Sequence, residues 1–281
     1  MTAPTQTPPV PAMACMEIRG GSQAVQEAFR TPGLDAWLYS RPYGDAECGG
    51  DVHYVSLCGG GVITRLVVAD VSGHGSEVAS FSETLRGLMR KNINSKSQTR
   101  LVQSLNRQFG ESAQLRRFAT AVVATYLAHR RTLTVCNAGH PRPLWYRAAE
   151  GVWEILDRDV LVRGNLPLGL DDESPYGQFT VPLGPGDLIV FYTDALTEAA
   201  DPTGRLLGED GLLAIARGLD ASEPHRLLPS LLGAIVTHRD GQPAGDDMTV
   251  LALHHNASGP RRLTIGEKLD VYGKVFGLRA Y

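Results

Sequence analysis

The chain has 281 residues, 43% hydrophobic and 20% charged, enough apolar material for a sizeable core and an ordinary charge content for a globular protein. Its net charge of −3, from 27 basic and 30 acidic residues, excludes the basic footprint of a nucleic-acid or anionic-membrane binder. No run approaches the roughly 18 apolar residues of a membrane helix, and MTAPTQTPPVPAM lacks the basic-then-apolar order of a signal peptide. Cys15, Cys48, Cys58 and Cys136 form no C-x-x-C pair, which fits a reducing compartment. The expected location is the cytoplasm. Arg116-Arg117 and Arg130-Arg131 read as solvated faces.

Residues 1–34 are expected to be a mobile Pro/Thr/Ala-rich segment, with a short helix over SQAVQEAFR (22–30). A folded body over 35–254 follows. Its strand candidates are AWLYSRP, DVHYVSLC, GVITRLVVAD, FATAVVATYLA, TLTVCNA, PLWYR, VWEIL, DLIVFYTD and MTVLALHH. Most are β-branched or aromatic and are bounded by Gly, Pro or Asp. Between the third and fourth, Val78, Phe81, Leu85 and Leu88 recur at helical steps, as do Leu101, Leu105 and Phe109. GEDGLLAIARGL and EPHRLLPSLLGAIVTHR supply two more helices, the latter disturbed at Pro229. Strands and helices arrive in blocks, which argues for an α+β layered architecture over a doubly wound parallel sheet. Residues 255–281 form a tail without a pattern.

The chemistry-bearing feature is where certain carboxylates fall. Asp70 ends VITRLVVAD and Asp194 ends DLIVFYTD; Asp51 opens DVHYVSLC after Gly49 and Gly50; Asp246 and Asp247 directly precede MTVLALHH. If these strand ends share one rim, four or five carboxylates converge, and like charges so close either raise one another's pKa or need a cation. Hard divalent ions with oxygen ligands, Mg²⁺ or Mn²⁺, suit such a cluster, whereas few Cys or His stand nearby to favour zinc. Two metals would activate a water for attack on phosphorus. Singly, an aspartate at a strand end is an ordinary turn residue, and Asp187 in LGPGDLIV reads as one.

The ordered set ECGGD (47–51), VADVSGHG (68–75), FATAVVATYL (118–127), NAGHPRPLWY (137–146), LPLGL (166–170), GDLIVFYTDALTEA (186–199) and GDDMTVLAL (245–253) resembles the type 2C, or PPM, metal-dependent serine/threonine phosphatases, and within them the bacterial SpoIIE/RsbU-like branch. The resemblance spans about 35–254. It implies a four-layer αββα sandwich of two mainly antiparallel sheets flanked by helices, with two Mn²⁺ or Mg²⁺ ions at one end. By the same resemblance Asp70 bridges both ions. Asp51 and the Val71 carbonyl complete one site, and Asp194 and Asp246 the other, leaving Gly50, His74 and Asp247 around the ligands. The implied substrate is a phosphoserine or phosphothreonine protein, often a STAS-type anti-anti-sigma factor in partner switching, and the helix over 76–93 is a possible switch element.

Two departures stand out. Thr193-Asp194-Ala195 replaces the common Thr-Asp-Gly, restricting the backbone beside a ligand, and Val52, His53 and Tyr54 replace an aromatic pair and a second aspartate. They support an alternative reading, a phosphatase-fold binding module without strong catalysis. GGG (59–61) and GHG as nucleotide loops lack both G-x-G-x-x-G after a strand and a Walker lysine. His140 in NAGHP reads as a turn residue. Arg41 and Arg142 are candidates to grip phosphate through a guanidinium fork, and the sequence does not choose between them.

Overall fold

The computed structural model describes residues 10–15, 17–58, 61–72, 76–92, 97–112, 118–157, 165–259 and 266. Among these, twelve strands form two six-stranded sheets in which every paired neighbour is antiparallel. One sheet runs β1 (Ile18–Gln23), β4 (Cys48–Cys58), β5 (Ile63–Val71), β6 (Ala119–Leu127), β7 (Thr132–Ala138), β10 (Phe179–Pro182). The other runs β2 (Val25–Thr31), β3 (Leu34–Arg41), β12 (Met248–His255), β11 (Leu188–Tyr192), β8 (Leu144–Arg147), β9 (Val152–Ile155).

Alternation along each strand divides the side chains into three cores. Leu38, Val55, Val68, Val122, Ile189 and Leu251 meet between the sheets. Tyr54, Val67, Ala69 and Val123 face outward, against Leu85 and Met89 of α1 (Ser76–Asn92) and Leu101, Leu105 and Phe109 of α2 (Gln98–Ser112). Val190, Tyr192 and Val250 face outward on the second sheet, against Leu212 of α3 (Gly208–Arg217) and Leu228, Leu231 and Ile235 of α4 (Pro224–His238). The result is the αββα sandwich. Helix α4 runs through Pro229. No helix among the described residues is long and apolar enough to cross a membrane.

The N-terminal expectation is overturned. Residues 22–30 form no helix: β2 pairs with β3 over seven registered positions, from Val25↔Ser40 to Thr31↔Leu34, and β1 pairs with β4. A helix that short is marginal alone, while the open edge of β3 offers a full ladder and buries Phe29 to 1% exposure. Order extends further back. Met13 N–H donates to Arg30 O at 2.8 Å, and its side chain joins the inter-sheet core. The folded body therefore includes much of the segment 1–34. At the other end, Asn256 N–H donates to Gly33 O and Gly33 N–H to Ser258 Oγ, so the first residues after β12 are tied to the β2–β3 turn.

Candidate metal centre

At one end of the sandwich the inner-facing positions turn from apolar to polar. Two residues along from Val68 toward this end lies Asp70, and Asp70 is the direct cross-strand partner of Asp51 on β4 and of Thr120 on β6. Partners opposite each other in an antiparallel ladder share a face, so these three side chains form a row pointing at the second sheet. From that sheet Ser40, Thr193 and Thr249 face back, by the same alternation that sends Leu38, Phe191 and Leu251 inward.

The two rows touch. Thr193 Oγ1 donates to Asp51 Oδ2 at 2.8 Å and accepts from Thr249 N–H at 2.9 Å, and the Thr249 hydroxyl lies 2.9 Å from that of Ser40. Asp194 then opens a 3₁₀ turn, Asp194–Leu196. Asp246 lies in the loop before β12. There its Oδ1 accepts the N–H of Asp247 at 2.8 Å.

Electrostatics show how closely the acids gather. Burial pushes the Asp51 carboxyl well above the usual carboxylate range, and the Asp70 charge adds to it. Burial, then the charges of Asp194 and Asp246, push Asp70 up to about 7. Asp194 is pushed up to about 6 by burial, then by Glu198 and Asp246. Among the described residues no lysine or arginine pairs with any of these carboxylates. A crowded, oxygen-only set of carboxylates without a cationic partner is the chemistry that a hard divalent cation neutralises, although among the described residues no three acidic, histidine or cysteine side chains are grouped closely enough to hold one. The charges of Asp51, Asp70, Asp194 and Asp246 thus act on one another across the two sheets, with Val71 directly after Asp70 at the end of β5.

Asp247 does something different from its neighbour. It is 6% exposed and accepts the Tyr43 N–H at 2.6 Å and the Gly50 N–H at 2.5 Å, joining the β3–β4 connection to the start of β12. A Cβ at Gly49 would overlap this carboxylate, which is why glycine stands there. Ser82 of α1 donates to the carbonyls of Gly49 and Gly50 at 3.2 and 3.1 Å, so α1 grips the strand immediately before Asp51. His74 lies outside the described residues.

Asp187 is a turn aspartate with three partners: the N–H groups of Ala148 and Gly184 and the Trp145 indole. His140 closes a turn through reciprocal bonds with Asn137, its Nδ1 2.9 Å from the Thr120 hydroxyl; burial pushes it down to about 3, favouring the neutral ring. Arg142 is not open to phosphate, because Glu209 and Asp157 engage its guanidinium. Arg41 is exposed at the end of β3. His53 points inward and is buried, which pushes it down to about 4, while Val52 and Tyr54 pack outward. Thr193, Ser82 and Thr249 escape sequence reasoning, since a hydroxyl declares itself only through its partner. Thr193 alone carried a signal, its place directly before Asp194.

Solved structures share this architecture. The RsbU and RsbW domains of Rv1364c from Mycobacterium tuberculosis match with a TM-score of 0.70 at 25% identity, over 85% of this chain and 64% of that one. The PP2C phosphatase domain of SpoIIE from Bacillus subtilis matches with a TM-score of 0.64 at 16% identity, over 85% and 71%. RsbX, solved with magnesium, matches with a TM-score of 0.60 at 15% identity, over 82% and 99%. The fold is that of the PP2C-type phosphatases. The model of the Stage II sporulation protein E (SpoIIE) family matches residues 61–256, and the chain belongs to that family. Among curated relatives, Protein IcfG of Synechocystis is 24% identical over 86% of this chain and 42% of its own length. Phosphoserine phosphatase RsbU of Bacillus subtilis is 25% identical over 67% and 55%. The chain spans about half the length of these relatives.

Proposed function

We propose that this chain is a Mn²⁺- or Mg²⁺-dependent protein serine/threonine phosphatase. The observation that carries the reading is the cross-strand pair of Asp51 and Asp70 under the electrostatic influence of Asp194 and Asp246 from the other sheet, without a cationic partner among the described residues. In this reading Asp51, Asp70, Asp194, Asp246 and the Val71 carbonyl would hold the two cations. When bound, the cations supply an activated water and neutralise phosphoryl charge. The chain's own part is orientation. Thr193 donates to Asp51 Oδ2, the Thr249 hydroxyl also bonds this carboxylate, and Asp247 with Ser82 holds the glycines before it.

The SpoIIE/RsbU likeness supports a phosphorylated STAS-type regulatory protein as substrate. Free thiols at Cys15, Cys48 and Cys136 support a cytoplasmic setting. The test is hydrolysis of an aryl phosphate and of a phosphoserine protein, with Mn²⁺, with chelator, and in Asp70→Asn and Asp246→Asn. Activity that survives chelation and both substitutions would sink the two-metal reading. Silence of the intact chain with Mn²⁺ on both substrates would favour a non-catalytic binding module.

A further inference from the structure

A cavity of about 600 Å³ lies between the segments 195–204 and 239–246, and Ala195 and Asp246 both line it, so it is continuous with the carboxylate centre. Arg239 also lines it. This residue is only 8% exposed, and its Nε is buried without a hydrogen-bond partner. The acidic residues that share the cavity, Glu198, Asp201, Asp240 and Asp246, are not among its ion-pair partners; none is recorded for it among the described residues. A buried guanidinium without an anion is costly unless something completes it. Burial indeed pushes Arg239 below the usual arginine range. Its backbone is fixed at the end of α4, donating to Ile235 O and accepting from Gln242 N–H, each at 3.1 Å.

We propose that Arg239 is a substrate-anchoring residue whose guanidinium receives an oxyanion of the phosphoprotein held beside the carboxylate centre. The planar fork of arginine matches both phosphoryl and carboxylate oxygens. The oxyanion is therefore either the phosphoryl group being removed or an acidic side chain flanking the phosphoserine. The acids around the cavity disfavour anions that fail to reach Arg239, which gives the site selectivity as well as affinity. This inference rests on the phosphatase reading above.

The test compares the intact chain with Arg239→Gln and Arg239→Lys, loaded with Mn²⁺, on an aryl phosphate and on phosphoserine peptides with acidic or neutral flanks. We expect Arg239→Gln to raise KM about tenfold or more with kcat little changed, and Arg239→Lys to restore only part of it, since an ammonium lacks the fork. A rise on every substrate, the aryl phosphate included, assigns the oxyanion to the phosphoryl group. A rise confined to acidic peptides assigns it to the flanking carboxylate. Thermal melts should show Arg239→Gln folded and no less stable, which separates anchoring from packing. Unchanged KM on all substrates in an active protein overturns the proposal. If the intact chain hydrolyses nothing, the phosphatase reading fails instead. Binding of inorganic phosphate and of an acidic peptide, followed by calorimetry, then decides the anchor alone: equal affinity of the intact chain and Arg239→Gln for both overturns it.

Discussion

Thr193 and Asp51 face each other from opposite sheets, and the 2.8 Å hydrogen bond between them ties the two halves of the sandwich together at the carboxylate centre. The same hydroxyl accepts the N–H of Thr249, so its orientation is set from one side and used on the other. Thr193→Val keeps the shape but leaves a buried N–H and a buried carboxylate oxygen unserved, a loss of about 1–3 kcal/mol in stability. Held then by the Thr249 hydroxyl alone, Asp51 should bind metal more weakly, and we expect about a 10-fold drop in Mn²⁺ affinity. Thr193→Ser should stay near the parent. Calorimetric titration with Mn²⁺ checks both; equal affinity in the valine variant would remove Thr193 from the site.

Metal-free stability should fall as pH rises. Asp70 and Asp194 hold their protons up to about 7 and about 6, against an ordinary 3.8, and Asp51 is displaced the same way. The folded chain therefore binds protons more tightly than the unfolded one. That contribution is complete below about pH 4 and is lost as pH climbs through the folded values, at a cost on the order of a few kcal/mol. His53 and His140, pushed down to about 4 and about 3, act in the opposite sense, losing stability as pH falls from 6.5. The informative quantity is thus the difference between the parent and Asp70→Asn, each melted with chelator from pH 5 to 8. Asp70→Asn should gain on the parent as pH rises, and saturating Mn²⁺ should reverse the order at pH 7.5. A pH-independent difference would mean that Asp70 ionises normally.

The departure at Ala195 is sterically harmless. It lies in the 3₁₀ turn Asp194–Leu196, outside the set of residues with positive φ, and is 6% exposed within the core under α3 and α4. Restoring glycine should therefore not improve the site. We expect Ala195→Gly to leave Mn²⁺ affinity within about twofold and to lower stability by about 0.5–1 kcal/mol through backbone entropy. A marked rise in affinity would show that alanine does strain the Asp194 carboxylate.

Legibility in the sequence followed the physics of each element. Strands such as β5 and β12 are long, β-branched and bounded, so burial and propensity agree and their ends could be read closely enough to place the acids. The segment 22–30 failed because its Ala, Gln and Glu suit a helix, while the deciding influence was the edge of β3. Strand β10 escaped because it has four residues and, among the described residues, pairs only with β7. Arg142 looked available because Glu209 stands 67 positions away and only the fold delivers it. Asn106, fully buried, binds Gly169 N–H and Asp171 O, and nothing local announces that. The motif residues themselves divide. Gly139 of NAGHP has φ +70, and a Cβ there would press on Pro167 of LPLGL, so those two motifs record packing rather than chemistry.

The adjacent acids Asp246 and Asp247 should separate cleanly under substitution. Asp247 is buried and spent on two backbone N–H groups, so Asp247→Ala strands the Gly50 donor beside Asp51 and loosens the β3–β4 connection. That should cost about 1–3 kcal/mol in metal-free stability, with any loss of metal binding following from the displaced strand. Asp246 instead crowds Asp70 and Asp194, raising both. Removing it relieves repulsion, so Asp246→Ala should be as stable as the parent or more so without metal, yet gain little when Mn²⁺ is added. Melting both variants with chelator and with Mn²⁺ gives a two-by-two comparison. If Asp247→Ala melts like the parent, or if Asp246→Ala is stabilised by Mn²⁺ as strongly as the parent, the division of labour between these neighbours is wrong.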